Sequence, residues 1–156
     1  MIIKYYNPIS KSIVLLSQHL FDALLATAIK NFPLEFGGIL TGCKFDNIII
    51  VLDFEIPEKF KASRSSFTRE ATDLNKYLHD VYNMSDGKLE YLGEWHSHPD
   101  SSTRFSSTDF QSMKEIAGET ATKNNTPLLL IVGGNKQKRT GSLYQFFNNE
   151  LVKLKF

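Results

Sequence analysis

The sequence is short of the features that mark several specialised protein classes. A single cysteine, Cys43, among 156 residues has no intramolecular partner, which excludes a disulfide-stapled secreted scaffold and fits a reducing compartment. Neither sign of charge dominates: 18 Lys and Arg against 17 Asp and Glu leave a net charge of +1, so there is no global field of the kind that drives non-specific binding to DNA or RNA. A nucleic-acid partner is disfavoured on that ground. Long apolar runs are missing as well. Ile48 to Leu52 and Leu128 to Val132 span five residues each, against the ~20 that a membrane-crossing helix needs. No basic region followed by an apolar stretch opens the chain, and Ile13 to Leu16 is too brief for a signal core. The expectation is an unexported, cytoplasmic protein with no membrane partner.

Hydrophobic residues make up 42% of the chain and charged residues 22%, enough for one domain over residues 1–156 that buries about two-thirds of its unfolded surface. The nine glycines and five prolines punctuate short elements and do not cluster, and no repeat or low-complexity stretch occurs. Leu20, Phe21, Leu24, Leu25, Ala28, Ile29 and Phe32 form one apolar stripe on a helix from about Ser17 to Phe32, ended by Pro33. Gly37 to Cys43 and Asn47 to Ile56 read as a hairpin turning at Lys44-Phe45-Asp46. Residues 57 to 69, with Lys59, Lys61, Arg64 and Arg69, are polar and aperiodic, a solvated loop long enough to act as a flap. A helix follows from about Glu70 to Tyr82, with Leu74, Tyr77, Leu78 and Val81 as its inner face. Tyr91 to His98 is a strand, Pro99 to Phe105 a loop, and Ser106 to Asp109 opens a helix running to about Thr122. Strands at Leu128 to Val132, Leu143 to Phe147 and Leu151 to Lys155 close the chain, with a turn at Gly133-Gly134-Asn135. The class is mixed α/β.

The segment with most chemistry is Gly93-Glu94-Trp95-His96-Ser97-His98-Pro99. Side chains two apart on a strand leave by the same face, so His96 and His98 come within reach of one ion. Asp109, in the first turn of the following helix, can swing back as a third ligand. Two imidazoles and a carboxylate, with a fourth position left to water, make up a catalytic zinc site, whereas a closed structural site needs a fourth protein ligand. Hydrolysis at such an ion still needs a general base. Two carboxylates qualify: Glu94 shares the strand parity of both histidines, and Glu35 precedes Gly37-Gly38, where the backbone can approach a ligand closely. Periodicity does not choose between them. Ser106 and Asp109 also have the spacing of a helix cap, a role compatible with chemistry. Cys43 reads as a small core side chain, His19 and His79 as ordinary helix residues, and Lys136, Lys138 and Arg139 as a solubilising turn.

Glu35 before Gly37-Gly38, then His96-Ser97-His98-Pro99, Ser106 and Asp109, resembles the complete JAMM signature of the JAB/MPN metalloisopeptidases. The lead-in Tyr91-Leu92-Gly93-Glu94-Trp95 and the compact length are most similar to bacterial JAB proteins, among them the deconjugating peptidases of CBASS antiphage operons. The resemblance implies the JAB/MPN, cytidine-deaminase-like fold, a mixed sheet flanked by helices. It further implies one Zn2+ held by His96, His98 and Asp109, with Glu35 as the base and Ser106 as a donor to the oxyanion. Glu94 is then left to orient a ligand. The implied reaction is hydrolysis of the amide bond after an extended C-terminal tail, in a ubiquitin-like protein or a CBASS nucleotidyltransferase conjugate. Two other readings are a silent scaffold of the same fold and a DNA-associated RadC-like protein. The intact set of five residues argues against the first. Ser97 between the histidines, where RadC proteins carry Asn, argues against the second.

Overall fold

Ten strands and three helices are described, in the order β1(Ile2–Tyr6), β2(Ile13–Ser17), α1(Gln18–Lys30), β3(Gly37–Phe45), β4(Ile48–Glu55), β5(Phe60–Ala62), β6(Phe67–Arg69), α2(Ala71–Met84), β7(Glu90–Pro99), α3(Ser107–Gly118), β8(Leu128–Gly134), β9(Arg139–Phe147) and β10(Glu150–Lys153). The structure, a computed structural model, describes residues 1–69 and 71–156, and the side chains of residues 71–73 lie outside the description. The expected helix start at Glu70 therefore also lies outside it. Among the described residues, no helix is long and apolar enough to cross a membrane.

Eight strands form one mixed sheet in the order β1-β2-β4-β3-β7-β8-β9-β10. The β2–β4 and β7–β8 pairs are parallel and the others antiparallel. The sheet curls until its ends meet, where the Tyr6 amide donates to the Lys155 carbonyl at 2.7 Å and the Lys155 amide returns a bond to Tyr6 at 2.9 Å. Helix α1 fills the curl. Its stripe residues Leu20, Leu24 and Ala28 are buried against Val14, Leu40, Leu92, Trp95, Leu130 and Leu154. Ser17 caps it, accepting the Leu20 amide at 3.0 Å, a contact of the kind that contributes about 1 kcal/mol. On the opposite face, α3 buries Met113 against Leu129, Ile131 and Tyr144, and α2 buries Leu74 against Ile39 and Tyr91. Tyr77 and Leu78 pack around that contact and Val81 is half-buried.

Several boundaries and assignments differ from those read in the sequence. Strands β1 and β2 were not expected, because β1 shows only half of an alternating pattern and Ile13 to Leu16 is short. Strand β3 runs on through Phe45, so the hairpin turns at Asp46-Asn47. Residues 60–69 are a small β-hairpin and not an aperiodic loop. Helix α3 stops at Gly118, four residues before the expected end, and the β8–β9 hairpin turns within residues 135–138. Cys43 is half-buried on β3, and burial together with the Glu90 carboxylate pushes its thiol up, which suits an unreactive side chain. Arg139 and Lys136 do not simply solubilise a turn: they stack on the Phe32 ring at 5.3 and 5.5 Å.

Candidate metal centre

Strand β7 lies at the middle of the sheet, between β3 and β8, with His96 opposite Gly37 on one side and Ile131 on the other. Alternation along β7 sends His96 and His98 to the face covered by α2 and α3 and sends Trp95 and Ser97 to the face covered by α1. Ser97 is fully buried, and it ties β7 to the segment just after Glu35: its amide donates to the Phe36 carbonyl at 2.7 Å, and its hydroxyl accepts the Phe36 amide at 3.1 Å. Gly37 makes the strand contact possible. A Cβ there would stand 2.3 Å from the Trp95 carbonyl and 2.8 Å from the His96 Cβ, far inside van der Waals contact. The Gly37-Gly38 pair thus admits a neighbouring strand rather than a ligand.

Four side chains converge at the end of β7. The His96 and His98 Nε2 atoms are 3.0 Å apart. Asp109 reaches both from the first turn of α3, with Oδ1 at 3.1 Å from His96 Nε2 and Oδ2 at 3.4 Å from His98 Nε2. Glu35 stands farther off, its Oε1 at 3.9 Å from His98 Nε2, and the donor atoms of Glu35, His96 and His98 lie within 4.8 Å of one another. Donors bound at ~2.0–2.1 Å to a tetrahedral ion sit ~3.3 Å apart, which is close to the three His96, His98 and Asp109 separations. The ring orientation agrees. His98 Nδ1 faces the Ser102 carbonyl at 3.2 Å; since a carbonyl only accepts, Nδ1 carries a hydrogen, so the ring in its neutral form would turn an Nε2 lone pair toward an ion in the cluster. The donor set fits a divalent metal ion.

Ser106 and Asp109 are joined by a capping box. The Ser106 hydroxyl accepts the Asp109 amide at 3.1 Å, and Asp109 Oδ2 accepts the Ser106 amide at 2.6 Å. The cap fixes the carboxylate that faces both imidazoles and uses only an acceptor site of the hydroxyl, so the Ser106 O–H remains a donor. All five residues singled out in the sequence thus meet at the junction of β7, α3 and the entry to β3.

Residues 17–147 match the family model described as prokaryotic homologs of the JAB domain. The chain belongs to this family. The matched span contains every residue of the cluster. Among curated proteins, a "CD-NTase/cGAS isopeptidase" of Enterobacter hormaechei subsp. hoffmannii (strain UCI 50) is 30% identical over 78% of this chain and 68% of its own length. A protein of the same description from Escherichia coli (strain TW11681) is 27% identical over 78% of this chain and 73% of its own length. Among solved structures, a solution structure of a protein from Desulfitobacterium hafniense superposes with a TM-score of 0.64 at 22% identity, covering 88% of this chain and 87% of that one. That likeness is one of fold.

In this JAB domain the electrostatics favour positive charge between the converging donors. Burial raises Glu35 above the ordinary carboxylate range; the two histidines oppose that shift and Asp109 reinforces it. Burial would also raise Asp109, but hydrogen bonds with His96 and His98 and from the Ser106 amide outweigh it and hold the carboxyl far below its usual range. For His98 burial acts downward, and Asp109, the Ser102 carbonyl and Glu35 more than compensate, raising the imidazole.

The structure corrects two sequence assignments near the site. Glu94 orients neither imidazole; its carboxylate receives the Arg69 guanidinium, with Nη2 at 2.8 Å from Oε1, and the Tyr91 hydroxyl at 2.6 Å. Arg69 is correspondingly not a solvated loop residue. Strict alternation would put Tyr91 and Glu94 on opposite faces, but a register shift opposite Leu40/Thr41 adds one residue to β7 and brings them to the same side. Gly93 sits in that bulge at φ 155°. Arg69 and Glu94 are 25 residues apart, and no spacing rule links them.

Proposed function

We propose that this JAB domain, extending over residues 1–156, is a zinc-dependent isopeptidase that hydrolyses the amide bond after the C-terminus of a conjugated protein. The substrate class we favour is a CD-NTase-type nucleotidyltransferase conjugate or a ubiquitin-like one, in a CBASS antiphage setting. The convergence of His96, His98 and Asp109 at tetrahedral spacing, with Glu35 one step farther out, is the observation that carries this reading. The isopeptidase names of the relatives supply the substrate class.

His96, His98 and Asp109 would hold the ion. When bound, zinc supplies Lewis acidity, lowering the pKa of water toward ~7 and polarising the scissile carbonyl. Glu35 takes the proton of the attacking water, and its raised pKa suits a group that must hold that proton and then deliver it to the departing lysine amine. The Ser106 hydroxyl donates to the oxygen on which charge develops. No acyl-enzyme forms, since no protein nucleophile is involved. An extended tail can add as a strand to an open edge. Among the described residues β5 pairs only with β6, which leaves the hairpin beside Glu35 with such an edge.

The test is a fusion in which a CD-NTase C-terminal tail precedes a reporter protein. Cleavage after the last tail residue, abolished by a chelator and restored by zinc, is the expected result. Cleavage indifferent to the chelator, or no cleavage of any tail fusion, contradicts the proposal.

A further inference from the structure

The reaction scheme uses the β5–β6 hairpin only as an edge for the tail and the half-buried Arg69–Glu94 pair not at all, yet both lead back to Glu35. The hairpin turn closes with the Ser63 amide donating to the Ser66 carbonyl at 2.8 Å, and the Ser63 carbonyl accepts the Glu35 amide at 2.7 Å. Both hairpin strands grip the next residue. Phe60 from β5 and Phe67 from β6 set their rings edge-on to the buried Phe36 ring, at centroid distances of 5.0 and 5.5 Å. The Glu35-Phe36 segment is thus held by the hairpin on one side and by Ser97 on the other.

The hairpin itself is fixed at its last residue. Arg69 closes β6 and inserts a two-pronged guanidinium onto Glu94, whose residue exposure is 8%, while the Tyr91 hydroxyl takes up the same carboxylate. Glu94 lies on β7, two residues before His96. A short two-stranded ribbon is marginally stable alone, so its placement depends on such anchors. A guanidinium fork fixes direction as well as distance.

We propose that the Arg69–Glu94 pair is a latch that locks the β5–β6 hairpin to β7 and so positions Glu35 for proton transfer. Arg69 is then a positioning residue that acts through Glu35, and the proposal rests on the reading of Glu35 as the base. Base catalysis is sensitive to sub-ångström placement, and a misplacement of 1 Å costs on the order of 10²-fold.

Arg69→Ala is expected to retain zinc and lower kcat about 10- to 100-fold; because the same hairpin offers the tail its edge, KM rises as well, and the loss in kcat is the part that acts through Glu35. Arg69→Lys, which keeps the charge but not the fork, should recover part of the loss. Because Arg69→Ala leaves Glu94 buried without a cation and can compromise folding, the companion variant is Arg69→Met with Glu94→Met, an apolar pair that removes the latch without stranding a charge. Two readouts separate positioning from mere structural support. In the Glu35→Gln background, removing Arg69 should lower kcat no further, within about twofold, because residues acting as one unit are not additive. In native-state amide exchange, the Glu35 amide should lose protection in the Met/Met variant while the β7–β8 amides keep theirs. Full kcat in the Arg69 variants, an unchanged Glu35 amide, or kcat losses that multiply in the double mutant overturn the latch. Full activity of Glu35→Gln alone overturns the reading of Glu35 as base and, with it, the action of the latch through that residue.

Discussion

Glu35→Gln is expected to bind zinc as the unchanged protein does and to cleave the tail fusion 10²- to 10⁴-fold more slowly, the range for loss of a general base. The amide has nearly the size of the carboxylate, so the contacts of Phe36 and the Ser63 carbonyl, made by backbone and neighbour, survive. What goes is the ability to accept a proton. Zinc retention follows from the distances: Glu35 stands 3.9 Å from His98 Nε2, whereas Asp109 lies at 3.1 and 3.4 Å from the two imidazoles. Elemental analysis and single-turnover cleavage, run side by side, check the two halves. Unchanged turnover would move the base role away from Glu35. Glu94 is poorly placed to inherit it, since Arg69 and Tyr91 already occupy its carboxylate.

Asp109→Ala should have the larger effect, with the zinc-to-protein ratio falling toward zero and cleavage dropping to background. Asp109 brings a carboxylate oxygen to 3.1 Å from His96 and 3.4 Å from His98, and the same oxygen that approaches His98 accepts the Ser106 amide. Alanine therefore removes both a ligand and half of the α3 cap, and loss of a cap costs about 1 kcal/mol of stability. Asp109→Asn separates these effects. Its side-chain oxygen can still accept the Ser106 amide, so thermal stability should recover while metal affinity, which depends on the carboxylate charge, does not. Wild-type zinc content in either variant would remove Asp109 from the ligand set.

Much of the site was legible because it is local. His96, His98 and their spacing to Ser106 and Asp109 follow from strand alternation and from helix-cap chemistry, and the structure brings all four together with Glu35. The stripe from Leu20 to Ala28 likewise announced α1, since a helix writes its buried face into four-residue steps. What stayed hidden depends on long-range pairing. Strand β1 owes its place to β2 and to the Tyr6–Lys155 closure of the sheet, neither of which leaves a mark within five residues. The β5 and β6 strands are three residues each, too short for a period to emerge. Arg69 looked like one basic residue among several, because its partner is 25 positions away on another strand. The Tyr91–Glu94 contact needed a bulge at Gly93, a device that breaks the alternation used to read the strand.

The most direct test is a crystal of the zinc-loaded protein, read by anomalous scattering at the zinc edge. One strong peak within ~2.0–2.1 Å of His96 Nε2, His98 Nε2 and an Asp109 oxygen, with Glu35 outside bonding distance, is the expected result. An absence of zinc between those donors, or an ion there closed off by a fourth protein ligand, would contradict a hydrolytic centre built on these residues.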